Sequence, residues 1–482
     1  MCSSDLSPRV GFNWDVRGDQ KTQVRGGTGV FTGAPLYVWV SNQLGNTGVL
    51  QGSVTEDFPT ARPFSPDVNR YKPATVTGAP AASYELNVTD NDFKFPQVLR
   101  NNIAVDRRLP WGLTGTGEFI YNKDVNGIYY INANLPAPQS AFTGVDNRPR
   151  WVGPSCTAPG PCVNRLNNAA GNQVTAAYVM KNQSVGSSWN ISGSLSKSFY
   201  HGLSLKGAYS YGDAHNTIDP GSTASSTFNL NEHSADPYNP GLGRSYSAQG
   251  NRAFVQASYN RSYFGFGATT ISAFWEMREP LNGSGGGLSP NGSYVFAGDA
   301  NGDGGSGNDL IYIPRNTSEM NFVAFTAGPN TFSPEQQAAA FEAYINQDKY
   351  LSKHRGEYAK RGEVWDPLMK RMDLSITQDV FHNIAGQRNA GQFRIDITNF
   401  GNLLNHNWGV SQRFTVPITQ AYGAQILTNP AADAQGRLSY RMATVNNQLV
   451  TKSFQTQTET NTSIQTGSDV YQFMLSFRYS FN

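Results

Sequence analysis

The residues whose type and spacing most plainly offer chemistry lie in one short run, Asp299-Ala-Asn301-Gly-Asp303-Gly304. Oxygen-bearing side chains at alternate positions wrap a hard cation such as calcium, and a glycine in sixth place permits the sharp turn that wrapping needs. The run matches the front half of a calcium loop. The Glu that would close it in twelfth place is absent: position 310 is Leu, and Asp309 stands one place short. A Gly/Asp/Asn loop also serves simply as a turn. Two readings therefore stand, a structural calcium held by Asp299, Asn301, Asp303 and Asp309, or a plain turn; no other cofactor is indicated.

The three cysteines are Cys2, Cys156 and Cys162. Cys156 and Cys162 sit in SCTAPGPC, where Pro and Gly favour a surface loop. A small disulfide in an oxidising compartment suits that setting better than zinc, which would need two further ligands. Ser333-Pro334-Glu335-Gln336 reads as a helix start, with Ser capping, Pro in the first turn and Gln closing a capping box. Ala338, Phe341, Tyr344 and Ile345 then form an apolar stripe, read as packing within a loop. A basic cluster follows it (Lys349, Lys353, His354, Arg355, Lys360 and Arg361), suited either to anionic groups such as lipopolysaccharide phosphates or to plain solvation. The six His and the many carboxylates fall into no H-E-x-x-H, G-x-S-x-G, P-loop or Cys/His pattern. An enzyme is not indicated.

The elements that must position these residues are unusual for a soluble chain. Of 482 residues only 15% are charged, while Gly, at 49, exceeds ordinary usage and aromatics reach 12%. So few charges suit a protein with one face towards lipid and a polar but largely uncharged face opposite. No run of 18 apolar residues offers a transmembrane helix. A barrel strand, however, crosses with roughly 9–11 residues of which every second is apolar, in keeping with a mean hydropathy of −0.46. The net charge of +2 and the absence of any basic stripe argue against nucleic acid.

Period-two alternation is clearest at the end, where Phe473, Leu475, Phe477, Tyr479 and Phe481 alternate with Gln472, Met474, Ser476, Arg478 and Ser480. Met372, Leu374, Ile376 and Val380 repeat the pattern, as do Phe393, Ile395 and Ile397, then Trp189, Ile191, Leu195 and Phe199, and Phe12, Trp14 and Val16. Strands are expected near 9–17, 21–32, 93–107, 111–122, 185–200, 202–212, 251–261, 264–277, 366–381, 391–401 and 470–482. The gaps between them alternate short and long. Short periplasmic turns and long extracellular loops are what an outer-membrane barrel has. The expectation is an all-β, antiparallel, transmembrane β-barrel of outer-membrane type, a fragment of about eleven strands from a 22-stranded whole. Residues 1–6 (MCSSDL) read as a non-native start, and 7–482 as barrel with its upstream part missing, since no signal peptide is visible.

Several stretches resemble TonB-dependent receptors of the Oar-like group, which carry a carboxypeptidase-regulatory-like domain: SPRVGFNWDVRGDQKTQVRGGTGVFTG (7–33), FAGDANGDGGSGNDLIYIPRN (296–316), YINQDKYLSKHRGEYAKR (344–361), FRIDITNFGNLLNHNWG (393–409) and the terminal LSFRYSFN. The resemblance implies a 22-stranded barrel with an N-terminal plug, located in the cell outer membrane of a Gram-negative bacterium. Such a receptor takes up a bulky solute with energy passed on by TonB through the missing N-terminal part. Its other partners would be outer-membrane lipid, lipopolysaccharide and the barrel-assembly machinery, for which Phe473, Leu475, Phe477, Tyr479 and Phe481 would be the signal. The last residue departs from the usual terminal aromatic, being Asn482 after Phe481. A structural, adhesive or secretion-related surface barrel is the alternative from a different class, separated by the presence or absence of an upstream plug and TonB-contacting box.

Overall fold

The computed structural model describes residues 7–33, 36–47, 63–71, 84–152, 165–166, 174–219, 221–263, 267–279, 291–382, 389–416, 423–456 and 469–481. Its largest element is one antiparallel sheet whose path runs through eleven strands: β1 (Arg9–Asp15), β2 (Thr22–Thr32), β3 (Gln97–Arg108), β4 (Thr114–Asp124), β5 (Ser187–Ser198), β6 (Leu203–Asn216), β7 (Gly250–Tyr263), β8 (Gly267–Arg278), β9 (Met369–His382), β10 (Asn389–Thr398) and β11 (Gln472–Phe481). Every strand pairs with its neighbours in chain order, and the short strand Gly243–Arg244 extends the sheet beside the end of β6. These are the eleven strands expected from the sequence, with ends displaced by a few residues. β1 and β11 form the two edges and do not pair with one another among the described residues.

The register explains why alternation in sequence becomes two faces in space. Across β7 to β11, Tyr259 lies opposite Ile271, Ile271 opposite Ile376, Ile376 opposite Ile395 and Ile395 opposite Leu475. The adjacent row, one residue along each strand, runs Ser258, Ser272, Ser375, Asp396, Met474. Paired residues share a face of the pleat and successive residues do not. One face is therefore apolar across many strands and the other mostly polar. Phe477 lies opposite Phe393, with ring centroids 4.8 Å apart, and Arg478 lies opposite Gln392, on opposite faces as expected. The apolar side chains are left exposed, Leu475 at 76% and Phe481 at 79%, as a lipid-facing surface requires.

Because consecutive strands are antiparallel neighbours, the connections alternate between the two ends of the sheet. One end carries the short connections 16–21, 109–113, 199–202, 264–266 and 383–388. Two of these are built alike. In Pro110–Gly112 and Tyr200–Gly202, Trp111 and His201 take positive φ (60° and 71°), followed by Gly112 and Gly202 at 72° and 85°. Phe199 N then donates to Leu203 O at 2.7 Å, closing the turn. A β-carbon at residue 202 would fall on the Asn260 carbonyl, so Gly is required there.

The other end carries all the long connections. These hold further sheets that include parallel pairs, a feature that alternation along single strands does not signal. Strand Tyr84–Thr89 pairs in parallel with Val174–Gln183, which pairs antiparallel with Gly127–Asn132. Strand Asn291–Ala297 pairs in parallel with Gly423–Ala432, which continues to Leu438–Met442. Parallel pairing joins segments from different connections, which no hairpin can do. The helix Pro334–Gln347 forms as its start signal indicates, with Ser333 and Gln336 making the reciprocal capping bonds. Phe341, Tyr344 and Ile345 are fully buried and Ala338 packs beside them, so the stripe is loop packing. No described helix is long and apolar enough to cross a membrane.

The two faces give opposite mutational outcomes. Leu374→Arg, on the apolar face, should cost roughly 2–4 kcal/mol of folding free energy in lipid if it lies near the bilayer midplane. Ser375→Arg, one residue along and beside Asp396, should cost less than about 1 kcal/mol. Folding titrations into lipid vesicles check both, and equal losses would place the two residues on one face.

Candidate functional site

The polar face of the sheet is held in order by ion pairs and hydrogen bonds, some between adjacent strands and some along one strand. Arg25 Nε lies 3.0 Å from Asp106 Oδ2, and Arg25 Nη1 lies 3.5 Å from Glu118. Thr116 donates to the other oxygen of Asp106 at 2.7 Å. Arg252 and Arg278 both contact Glu276, at 2.9 and 3.3 Å. Arg394 pairs with Asp396 at 2.8 Å, and Gln392 donates to Asp379 at 2.7 Å. Charges spaced this way in pairs suit a water-filled interior, where neither partner is fully desolvated.

The long connections form a folded cap over one end of this face, with two hydrophobic cores. One gathers Trp39, Tyr130, Trp151, Tyr178 and Phe228 around the strand Val174–Gln183. The other gathers Tyr294, Phe296, Ile311, Phe341, Leu427 and Tyr440 around the strands Asn291–Ala297 and Gly423–Ala432 and the helix Pro334–Gln347. Near-complete burial of such side chains stabilises by about 1.5–3 kcal/mol each. That is ample reason for segments far apart in sequence to assemble.

Arg148 ties the cap together. Its side chain is wholly buried, with Nε and Nη2 donating to the two oxygens of Asp146 at 2.9 and 3.0 Å. Nη1 reaches Asp309 at 3.3 Å and Nη2 also donates to the Leu310 carbonyl at 2.7 Å. The guanidinium lies over the rings of Phe296 and Tyr358, each 5.2 Å from the centroid. Burial opposes its charge, but the charges of Asp146 and Asp309 outweigh burial and hold it protonated more firmly than usual. A single cation thus joins the connection between β4 and β5 to the one between β8 and β9.

The structure brings Asp299, Asn301, Asp303 and Asp309 into one loop, and shows what their oxygens do. Asp299 accepts from the amides of Gly302 and Gly304 at 2.6 and 2.9 Å. Asn301 accepts from Asp303 N at 2.9 Å, and Asp303 from Gly305 N at 2.7 Å. Asp303 Oδ2 lies 2.9 Å from His233 Nε2, while Asp309 accepts from Ala300 N at 2.7 Å and pairs with Arg148. Burial raises the Asp299 carboxyl well above its ordinary value, and the charges of Asp303 and Asp309 add to this. Among the described residues no group of three carboxylate or imidazole side chains is arranged to hold a metal ion. The four side chains thus accept from the chain's own N–H groups, and Asp303 and Asp309 also meet His233 and Arg148.

Cys156 and Cys162 lie outside the described residues. The basic cluster divides. Lys349, Lys353 and Lys360 stay on the surface, and His354 lies 3.2 Å from Glu357. Arg355 donates to Glu342 at 2.7 Å, and buried Arg361 donates to Asn231 at 2.9 Å and to Gly243 O at 3.3 Å. Neither reading of that cluster, an anion-attracting patch or solvated charge, describes these two arginines, which hold loops together. Arg148 and His233, the residues that organise the candidate loop, carry no signal in the sequence, because Asp309 and Asp303 lie far away along the chain.

Two outcomes follow from this geometry. Arg148→Met should destabilise the cap by about 3–5 kcal/mol, because it strands the carboxylates of Asp146 and Asp309 in the interior; hydrogen exchange of cap amides reports the loss while wall amides stay protected. Calcium up to millimolar levels should leave proteolysis of the 299–309 loop unchanged if its oxygens keep these donors. Protection that appears with calcium would show that the carboxylates turn from the amides to the cation.

Residues 3–469 match the family described as outer membrane beta barrel domain. No curated protein matches the chain. A solved structure similar over 90% of this chain is the outer membrane transporter YddB from Escherichia coli, with a TM-score of 0.38 and 10% sequence identity. The chain spans 39% of the length of that protein. With a sheet of lipid-facing and polar faces already evident, the match over nearly its whole length makes this chain a member of the outer membrane beta barrel domain family, resident in the cell outer membrane.

Proposed function

We propose that the chain is the C-terminal part of a TonB-dependent outer-membrane receptor of the Oar-like group, which takes up a bulky solute. The observation that carries this reading is the combination of a sheet with a charged, ion-paired inner face and a folded cap over one end. A hydrated, charge-lined interior beneath a folded cap suits a solute path. The edges β1 and β11 bear on the same reading. Each unpaired N–H or C=O in hydrocarbon costs several kcal/mol, so in the membrane both edges pair with further strands. On this reading the plug and the TonB-contacting segment lie upstream, the outward aromatics of β11 (Phe473, Phe477, Tyr479 and Phe481, with Leu475) are read by the barrel-assembly machinery, and lipopolysaccharide surrounds the cap. The protein works as a transporter and carries out no catalysis.

The genomic locus and intact cells test this. The reading frame upstream should encode further strands, a plug and a TonB-contacting box, and the full-length protein should cross-link to TonB in living cells. A frame without a plug, or a full-length protein that never cross-links to TonB, would favour a structural or secretion barrel instead.

A further inference from the structure

The segment 231–233, which follows the helix Ala224–Asn229, lies on the seam between the two cores of the cap. Phe228 of that helix belongs to one core. A few residues past the helix end the chain reaches the other: Leu310 N donates to the His233 carbonyl at 2.9 Å, and His233 N donates to Asn308 O at 2.9 Å. Beside these bonds Glu232 turns its side chain fully into the interior.

The groups around that carboxyl come from several different connections. Glu232 Oε2 accepts from the hydroxyls of Tyr246 and Ser293. Those hydroxyl oxygens lie 2.9 Å apart, and Ser293 Oγ also accepts from Gly362 N at 2.8 Å. Behind Oε1 stands Gly423, where a β-carbon would come within 3.2 Å of the oxygen. Oε1 has no hydrogen-bond partner among the described residues. The charged and titratable groups facing the carboxyl are Tyr246, Arg361 and Asp219. Asp219 opposes a negative charge here, and Arg361 favours it from a guanidinium already committed to Asn231 and Gly243. An ionised Glu232 would therefore place both its donors on one oxygen and leave the other bare in the interior.

We propose that Glu232 is a proton-operated latch for the external cap: with its proton it holds the seam between the two cores closed, and without it the seam loosens. Burial is the largest influence on this carboxyl and raises it from 4.5 to about 7, against the pull of the two hydroxyls. A carboxyl whose pKa is raised on folding contributes stability that is complete below its unfolded value and is lost as pH rises through the folded value. The latch therefore weakens as pH rises from about 4.5 through about 7. A solute receptor so built would have a tight cap in mildly acidic surroundings and a looser one in alkaline surroundings.

Hydrogen exchange of the full-length protein in outer-membrane vesicles, corrected for intrinsic rates, tests the latch. Between pH 6 and pH 8.5 the protection of Phe296, Leu310 and Ile311 should fall roughly tenfold, with wall amides such as Ile191 as the unchanging reference. Glu232→Gln, which keeps the shape and never ionises, should remove Glu232's share of this dependence, so that cap protection falls clearly less across the range than in the wild type. Tyr246→Phe, which removes a donor to the carboxylate, should move the transition to higher pH and stands as a second reading if Glu232→Gln does not fold. Cap protection that ignores pH in the wild type, or that falls in Glu232→Gln as it does in the wild type, overturns the proposal.

Discussion

In hydrocarbon there is no water to accept the hydrogen bonds of an unpaired peptide, and that constraint governs the rest of this structure. Every wall strand must find partners on both sides, which is most economical when each pairs with its neighbours in chain order, as β1 to β11 do. Sequential pairing forces the connections to alternate ends. Turns such as Pro110–Gly112 and Tyr200–Gly202 then need only reverse the chain, while the opposite connections are free to grow. The pleat adds the second consequence, since with backbone groups paired within the sheet, side chains on one face meet lipid and on the other meet water.

The two ends of the molecule solve different problems. Within the wall, apolar side chains are exposed and charges stand in pairs such as Arg25 with Asp106 and Arg394 with Asp396. In the cap the arrangement reverses: aromatic and aliphatic side chains are buried, and charge is taken into the interior with them. Arg148 between Asp146 and Asp309, and His233 beside Asp303, are closed off from solvent. A buried pair contributes little net stability but is costly to break. It fixes which segments meet more than how strongly they hold. The cap is thus specified by a few polar contacts within two apolar cores.

The wall is legible in the sequence because its signal is local. The terminal run from Phe473 to Phe481 keeps a large apolar residue at every second position, with Met474 the one apolar residue between them, and the spacing of such runs marks out the number of strands and the alternation of connections. The helix Pro334–Gln347 is legible for the same reason, as its cap, first-turn Pro and apolar stripe are adjacent in the chain. The cap sheets are not. Strand Asn291–Ala297 finds its parallel partner in Gly423–Ala432, across β9 and β10, and nothing in either segment names the other. The candidate calcium loop shows the limit from another side. Its spacing marks a tight, oxygen-rich turn, but the donors that fill it include His233 and Arg148, drawn from other connections. The basic cluster misleads for a similar reason, since Arg361 is buried against residues more than a hundred positions earlier.

The central claim is that alternation along each strand is alternation between lipid and water. Single cysteines along β9, placed at positions 371 to 376 in a background free of other cysteines, test it most directly in native outer membranes with a water-soluble thiol reagent. Labelling is expected at 371, 373 and 375, and protection at 372, 374 and 376. Uniform labelling, or the opposite alternation, would contradict it.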